Sequence, residues 1–74
     1  MKWFTDVFLR SFETGKEIQI TEKQFLIFEK YLKESKDIGY TYNLYGTVNN
    51  LKIHVYEWAC VGKHRYYAII EEMI

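Results

Sequence analysis

The sequence predicts an α+β domain in which two helices pack on one face of a three-stranded antiparallel β-meander. All five phenylalanines lie within the first 28 residues, whereas six of the seven tyrosines follow Gly39. A helix-capping signal lies in the first half of the chain and two turn signals lie in the second half. Because phenylalanine suits a dry core and tyrosine suits strands, we expect helices in residues 1–36 and strands in residues 38–72.

The length and composition indicate one small globular domain over residues 1–74. Of its 74 residues 49% are hydrophobic, and ten basic residues balance ten acidic ones. A balanced charge disfavours nucleic-acid binding, because nucleic-acid binders usually concentrate lysine and arginine on one face. The single cysteine, Cys60, excludes an intrachain disulfide.

The amino terminus does not resemble a signal peptide, because Asp6 and Arg10 interrupt its apolar residues. No apolar run approaches the roughly 20 residues of a membrane helix. We therefore expect a soluble protein of the reducing cytoplasm, in the host cell if the protein is viral, with no membrane partner.

The clearest predicted element is a helix from Glu22 to Glu34. Thr21 and Gln24 have the spacing of a capping box, and the apolar residues that follow gather on one side of the helical wheel. Leu26 falls in the middle of the charged side. A lone exposed leucine usually has no role, so Leu26 is only a possible secondary contact.

The segment from Trp3 to Glu13 also favours a helix. As a helix it places its phenylalanines on one arc opposite Asp6 and Arg10, and Gly15 suits a left-handed C-terminal cap. As a strand, both of its faces would be mixed. The alternation that follows is compatible with a short fourth strand from residue 17 to residue 20.

Two turn signals set the register of the meander. Asn49 and Asn50 suit a two-residue type I′ turn, and Gly62 with Lys63 suits a type II′ turn. The first turn pairs Val48 with Leu51 and places the apolar residues on one inner face. The opposite, outer face then carries Thr41, Asn43, Tyr45, His54, Tyr56, Trp58, Arg65, Tyr67 and Ile69.

This outer face is aromatic, whereas the solvent face of an antiparallel sheet is normally polar. Three explanations remain open: the first helix or a chain terminus covers it, it binds protein, or it stacks nucleic-acid bases with the help of Lys52, Lys63 and Arg65. The candidate partner-binding residues are Tyr45, His54, Tyr56, Trp58, Arg65, Tyr67 and Ile69.

The signals for an enzyme are weak. His54 and His64 are possible bases and Cys60 a possible nucleophile, but their spacing matches no catalytic arrangement. The predicted second turn places Cys60 beside Arg65 on the outer face. It also places His54 near Glu71, and the ordinary interpretation of this second pair is a surface ion pair. We expect no catalysis, no cofactor, no metal site and no small-molecule substrate.

The leading hypothesis is a non-enzymatic protein-binding module that acts by occlusion. Its outer face would bind another protein or a second copy of the chain as a homodimer. Compact chains without proline or catalytic residues are common among phage and mobile-element inhibitors. This comparison concerns only the general type of protein, because no motif in the sequence identifies a family. The alternative is a weak single-strand nucleic-acid binder that stacks bases on the same aromatic rings.

Overall fold

A computed structural model describes residues 3–73 of the chain. It shows an α+β fold with one five-stranded antiparallel sheet and two helical regions. In chain order the elements are an N-terminal helical segment (Phe4–Phe8 and Leu9–Ser11), β1 (Glu17–Ile20), α1 (Glu22–Tyr31), β2 (Glu34–Ile38), β3 (Thr41–Val48), β4 (Leu51–Cys60) and β5 (Lys63–Glu72). The strands follow the spatial order β1-β5-β4-β3-β2.

Helix α1 begins at the predicted capping box. The Gln24 backbone N–H donates to Thr21 Oγ1 at 3.2 Å, and the Thr21 N–H donates to Gln24 Oε1 at 2.9 Å. The helix ends at Tyr31, before the predicted Glu34, because Leu32 adopts extended backbone angles of φ −86° and ψ 137°. This change of direction buries the Leu32 side chain in the core.

The N-terminal segment is helical, as predicted, but it is shorter and more irregular than the predicted helix from Trp3 to Glu13. Its first part is a π-helical turn, in which the Leu9 N–H donates to the Phe4 carbonyl, and its second part is a 3-10 turn. Gly15 has a φ of 84° but caps no helix. Its N–H instead donates to the Ile70 carbonyl at 2.8 Å and joins this segment to β5.

The sheet has more strands than the three or four that the sequence predicts. The short strand β1 forms at the expected residues and pairs with β5. Strand β2 is not predicted, and its first residue, Glu34, falls within the predicted helix. All its residues are exposed, so it lacks the alternation that marks a half-buried strand. Pairing with β3 holds it in place, and Gly39, at φ 59°, lies in the connecting turn.

The predicted register between β3 and β4 is confirmed. Val48 lies opposite Leu51, and the ladder continues to Thr41 opposite Trp58. Asn49 has a φ of 55°, whereas Asn50 is not among the positive-φ residues of the described chain, so the turn departs from the predicted type I′. The turn length, and not its type, determines the pairing.

The turn between β4 and β5 lies one residue earlier than predicted, at Val61 and Gly62, with φ values of 50° and 76°. Cys60 therefore lies opposite Lys63 and not opposite Arg65. The pairing moves by two residues, which is the side-chain period of a strand, so every side chain stays on its predicted face.

The physical reason for this shift is the burial of Ile53. The predicted register would place Glu72 opposite Ile53, which is almost fully buried. In the structure Ile70 lies opposite Ile53 instead. The same shift places His54 opposite Ile69, so the expected pairing of His54 with Glu71 is wrong.

One hydrophobic core joins the helical residues to the inner face of the sheet. Its members are Phe4, Phe8, Leu9, Ile20, Phe25, Phe28, Leu32, Leu44, Val48, Ile53, Val55, Ala68 and Ile70. The Phe28 ring lies 5.0 Å from the Phe8 ring and 6.0 Å from the Phe4 ring. The N-terminal segment thus packs on the inner face, which excludes the explanation in which it covers the outer face.

Leu32, the residue that follows α1, packs closely against Gly46 on β3. A β-carbon at this position would lie 2.6 Å from Leu32 Cδ2, well inside van der Waals contact. A side chain at this position would therefore require Leu32 to change its side-chain conformation.

Candidate functional site

The structure brings all nine predicted outer-face residues together on β3, β4 and β5. Cross-strand pairing arranges them in three rows. From one end of the sheet to the other, the rows are Thr41, Trp58 and Arg65, then Asn43, Tyr56 and Tyr67, then Tyr45, His54 and Ile69. Most of these side chains are half-buried by their neighbours.

Four of these rings form a continuous ladder across the three strands, which we call the ring ladder: Tyr45, His54, Tyr56 and Tyr67. The ring centroids are 4.6 Å apart for Tyr45 and His54, 5.4 Å for His54 and Tyr56, and 5.2 Å for Tyr56 and Tyr67. The interplanar angles are 10°, 31° and 28°. The rings therefore turn their faces toward one another.

Asn43 anchors the ring ladder and is the one buried polar residue among those described. Its Nδ2 donates to the Lys36 carbonyl at 3.3 Å and to Thr41 Oγ1 at 3.2 Å. Its Oδ1 lies 2.9 Å from His54 Nε2, which must carry the proton because an amide oxygen only accepts. Sequence reasoning places Asn43 on this face but does not predict its structural role.

The environment of His54 favours its neutral form. Burial lowers the pKa of His54 below its usual value of 6.5, and the positive charge of Lys52 lowers it further. The carboxylate of Glu17 acts in the opposite direction and raises the pKa, but less than burial lowers it. The ring is thus suited to stack between Tyr45 and Tyr56 as an uncharged aromatic group.

Glu17 joins the site from the edge strand β1, which sequence reasoning does not anticipate. The Tyr56 hydroxyl donates to Glu17 Oε1 at 2.9 Å. Burial, together with the hydrogen bond and the charge of Glu17, raises the pKa of Tyr56 to about 12. The residues are 39 positions apart in sequence, and only the pairing of β1 with β5 brings them together.

Trp58 and Arg65 form the other end of the site. The Arg65 guanidinium lies over the Trp58 ring at 6.0 Å from its centroid, and the Tyr40 ring meets Trp58 edge-on at 6.2 Å. A shallow depression of about 250 Å³ lies between this end and the ring ladder. It is lined by Glu17, Tyr56, Trp58, Arg65 and Tyr67.

Most charges around the outer face are separated along the strand direction, apart from Lys36, which lies opposite Asn43 in the middle row. Lys63 and Arg65 lie at the end near the β4–β5 turn, which we call the basic end. At the opposite, acidic end lie Glu17, Glu34 and Glu71. Lys52 also lies at the acidic end, directly opposite Glu71. The predicted basic set of Lys52, Lys63 and Arg65 is thus divided between the two ends.

The residues considered for catalysis do not meet. His64 lies on the inner face, where its Nδ1 donates to Glu57 Oε2 at 2.8 Å, whereas Cys60 belongs to the outer face. His54 shares that face but lies six residues from Cys60 along β4, a separation of about 20 Å in a strand. Within residues 3–73, no group of three or more His, Cys, Asp or Glu side chains could hold a metal ion.

Leu26 is exposed on α1, on the helical side of the sheet. The sheet separates it from the outer face, so the two do not form one surface.

No helix in the described part of the chain is long and apolar enough to cross a membrane. Comparison with known proteins found no matching family model, no matching curated protein and no matching solved structure.

Proposed function

We propose that this chain is a non-enzymatic protein-binding module and that the outer face is its contact surface. The observation that carries the proposal is the half-exposed ring ladder on a sheet face that the helical segments leave uncovered. Tyrosine and tryptophan are enriched at protein interfaces because they bury a large area at a low entropic cost.

The geometry favours a protein over a nucleic acid as the partner. Bases stack on exposed ring faces, but the rings of the ladder already stack on one another. The carboxylate of Glu17 also lines the depression beside Tyr56, where it would repel a phosphate. A protein surface can instead pack against the ring edges of the outer face and the polar groups between them.

The outer face is suited to occlusion because its rings are already ordered. Stacking and the Asn43 hydrogen bonds hold the rings in one arrangement, so little side-chain entropy is lost on binding. Such a surface acts by covering a region of its target, as expected of a small inhibitor in the cytoplasm, including one from a phage or mobile element.

Site-specific photocrosslinking tests this proposal even when the partner is unidentified. Tyr67 would be replaced by p-benzoylphenylalanine in the cells that produce the protein, and Leu26 would be replaced in a matched control. We expect a discrete protein adduct from position 67 and none from position 26. The absence of a protein adduct at position 67, or equal adducts at both positions, would contradict the proposal, and an RNA or DNA adduct would favour the alternative.

A further inference from the structure

We infer that the outer face binds a second copy of this chain, with the two sheets stacked face to face and their β5 strands antiparallel. The inference rests on the proposed function, because it names the occupant of the same face. It is carried by the separation of charge along β5, where Lys63 and Arg65 lie at the basic end and Glu71 lies at the acidic end.

These charged groups have no ion-pair partner within residues 3–73. The two ion pairs of the described chain join Glu13 to Lys16 and Glu57 to His64, and neither lies on the outer face. Lys63 and Glu71 are both exposed, and eight residues separate them, which corresponds to about 26 Å along a strand. Both charges are therefore available to an intermolecular partner.

Symmetry then selects one orientation of the two copies. In a two-fold dimer the same surface serves both copies, so every contact occurs twice. A two-fold axis parallel to the strands would place the basic end of one copy on the basic end of the other. An axis across the strands reverses the second copy and places Lys63 opposite Glu71 of the second copy, so this orientation brings the basic end onto the acidic end, where three carboxylates outnumber Lys52.

The same axis brings the two copies of Tyr67 together. Tyr67 lies midway between Lys63 and Glu71 on β5, so the axis passes beside it and the two Tyr67 rings meet. The depression next to Tyr67 has Arg65 on one side and Glu17 on the other. Reversal of the second copy therefore directs each Arg65 toward Glu17 of the other copy.

The area of the outer face is sufficient for a specific dimer. Its five strands span about 20 Å across, and the charged residues span about 25 Å along the strands. The footprint is about 500 Å² per copy, or about 1,000 Å² in total, which is the lower limit for a specific interface. Its centre is aromatic and its rim is charged, as in other protein interfaces.

Charge reversal in separate chains tests the orientation. Lys63→Glu and Glu71→Lys would each be measured alone and as an equimolar mixture by sedimentation equilibrium. Each variant alone places like charges together twice, so we expect its dimer dissociation constant to rise about tenfold or more. The mixture pairs unlike charges again at both contacts, so we expect dimers to return, with both variants in each dimer.

Lys23→Glu on α1 is the matched control, because Lys23 is exposed on the helical side of the molecule, and it should dimerise like the wild type. Thermal unfolding would verify that the variants remain folded. A wild type that stays monomeric at all concentrations, or a mixture that does not recover, would overturn the inference. In that case a position-67 adduct whose mass differs from that of a dimer of this chain would still support the proposed function. The absence of any protein adduct would contradict both the proposed function and the dimer inference.

Discussion

The two faces of the sheet are built from the same three long strands but differ in chemistry. On the inner face Leu44, Ile53 and Val55 are at most 2% exposed and pack beneath the helices. On the outer face the alternate residues are rings and charged groups that no helical segment covers. Strand alternation thus separates the residues that stabilise the fold from those available for binding.

The largest effect is expected from Phe28→Ala on the inner side. Phe28 is fully buried and contacts the rings of Phe4, Phe8 and Phe12. Removing it should lower the free energy of unfolding by about 3–5 kcal/mol, which is most of the stability of a small domain. Urea denaturation followed by circular dichroism measures this loss, and a loss below about 1 kcal/mol would contradict the assigned core.

A smaller effect on stability is expected from Trp58→Ala on the outer face. Trp58 is half-buried and contacts only the Tyr40 ring and the Arg65 guanidinium among the ring and cation interactions described. We expect a loss of about 1 kcal/mol in the free energy of unfolding, together with loss of association. Denaturation and light scattering on the same sample measure both quantities, with Leu26→Ala as the control.

Unchanged association of Trp58→Ala would show that this end of the outer face does not participate in binding. A loss of stability as large as that of Phe28→Ala would show that both faces of the sheet serve the fold. The second result would remove the distinction between the two faces, and the first would confine the contact surface to the ring ladder.

The smallest effect is the pH dependence of stability through His54. Because burial lowers its pKa in the folded state, the unfolded chain binds more protons below about pH 6.5. The contribution of neutral His54 to the free energy of unfolding is therefore fully present above about pH 6.5. It is lost as the pH falls through the lowered pKa of the folded state. Denaturation at several pH values should show this loss in the wild type and a weaker dependence in His54→Gln, and identical profiles would contradict it.

The helical half and the meander are predictable wherever local signals agree with burial. The capping box determines the start of α1, and the alternation of β3 and β4 agrees with a two-residue turn at Asn49. Both faces of β5 are predicted correctly although its turn is misplaced by one residue. A shift of two in pairing leaves each side chain on its own face, so the outer-face residues are found despite the error.

The features of the structure that the sequence does not predict depend on contacts between distant residues, which leave no pattern in the local sequence. Strand β2 is entirely exposed and gains its structure from backbone pairing with β3, so its sequence shows no periodicity. Gly39 is the one indication of a turn there. Val61 adopts a left-handed φ that branched residues rarely accept, because the pairing of Ile53 with Ile70 decides the register. Glu17 reaches Tyr56 only through the edge strand.

The exposed strand β2 also affects the solubility of the protein. An open sheet edge can recruit strands from other molecules and begin fibre growth. Along this edge Glu34, Lys36 and Asp37 provide alternating charges, and at the other edge β1 is only four residues long. Both borders are therefore poor templates for further strands, and the sheet leaves its aromatic outer face uncovered without extending into an aggregate.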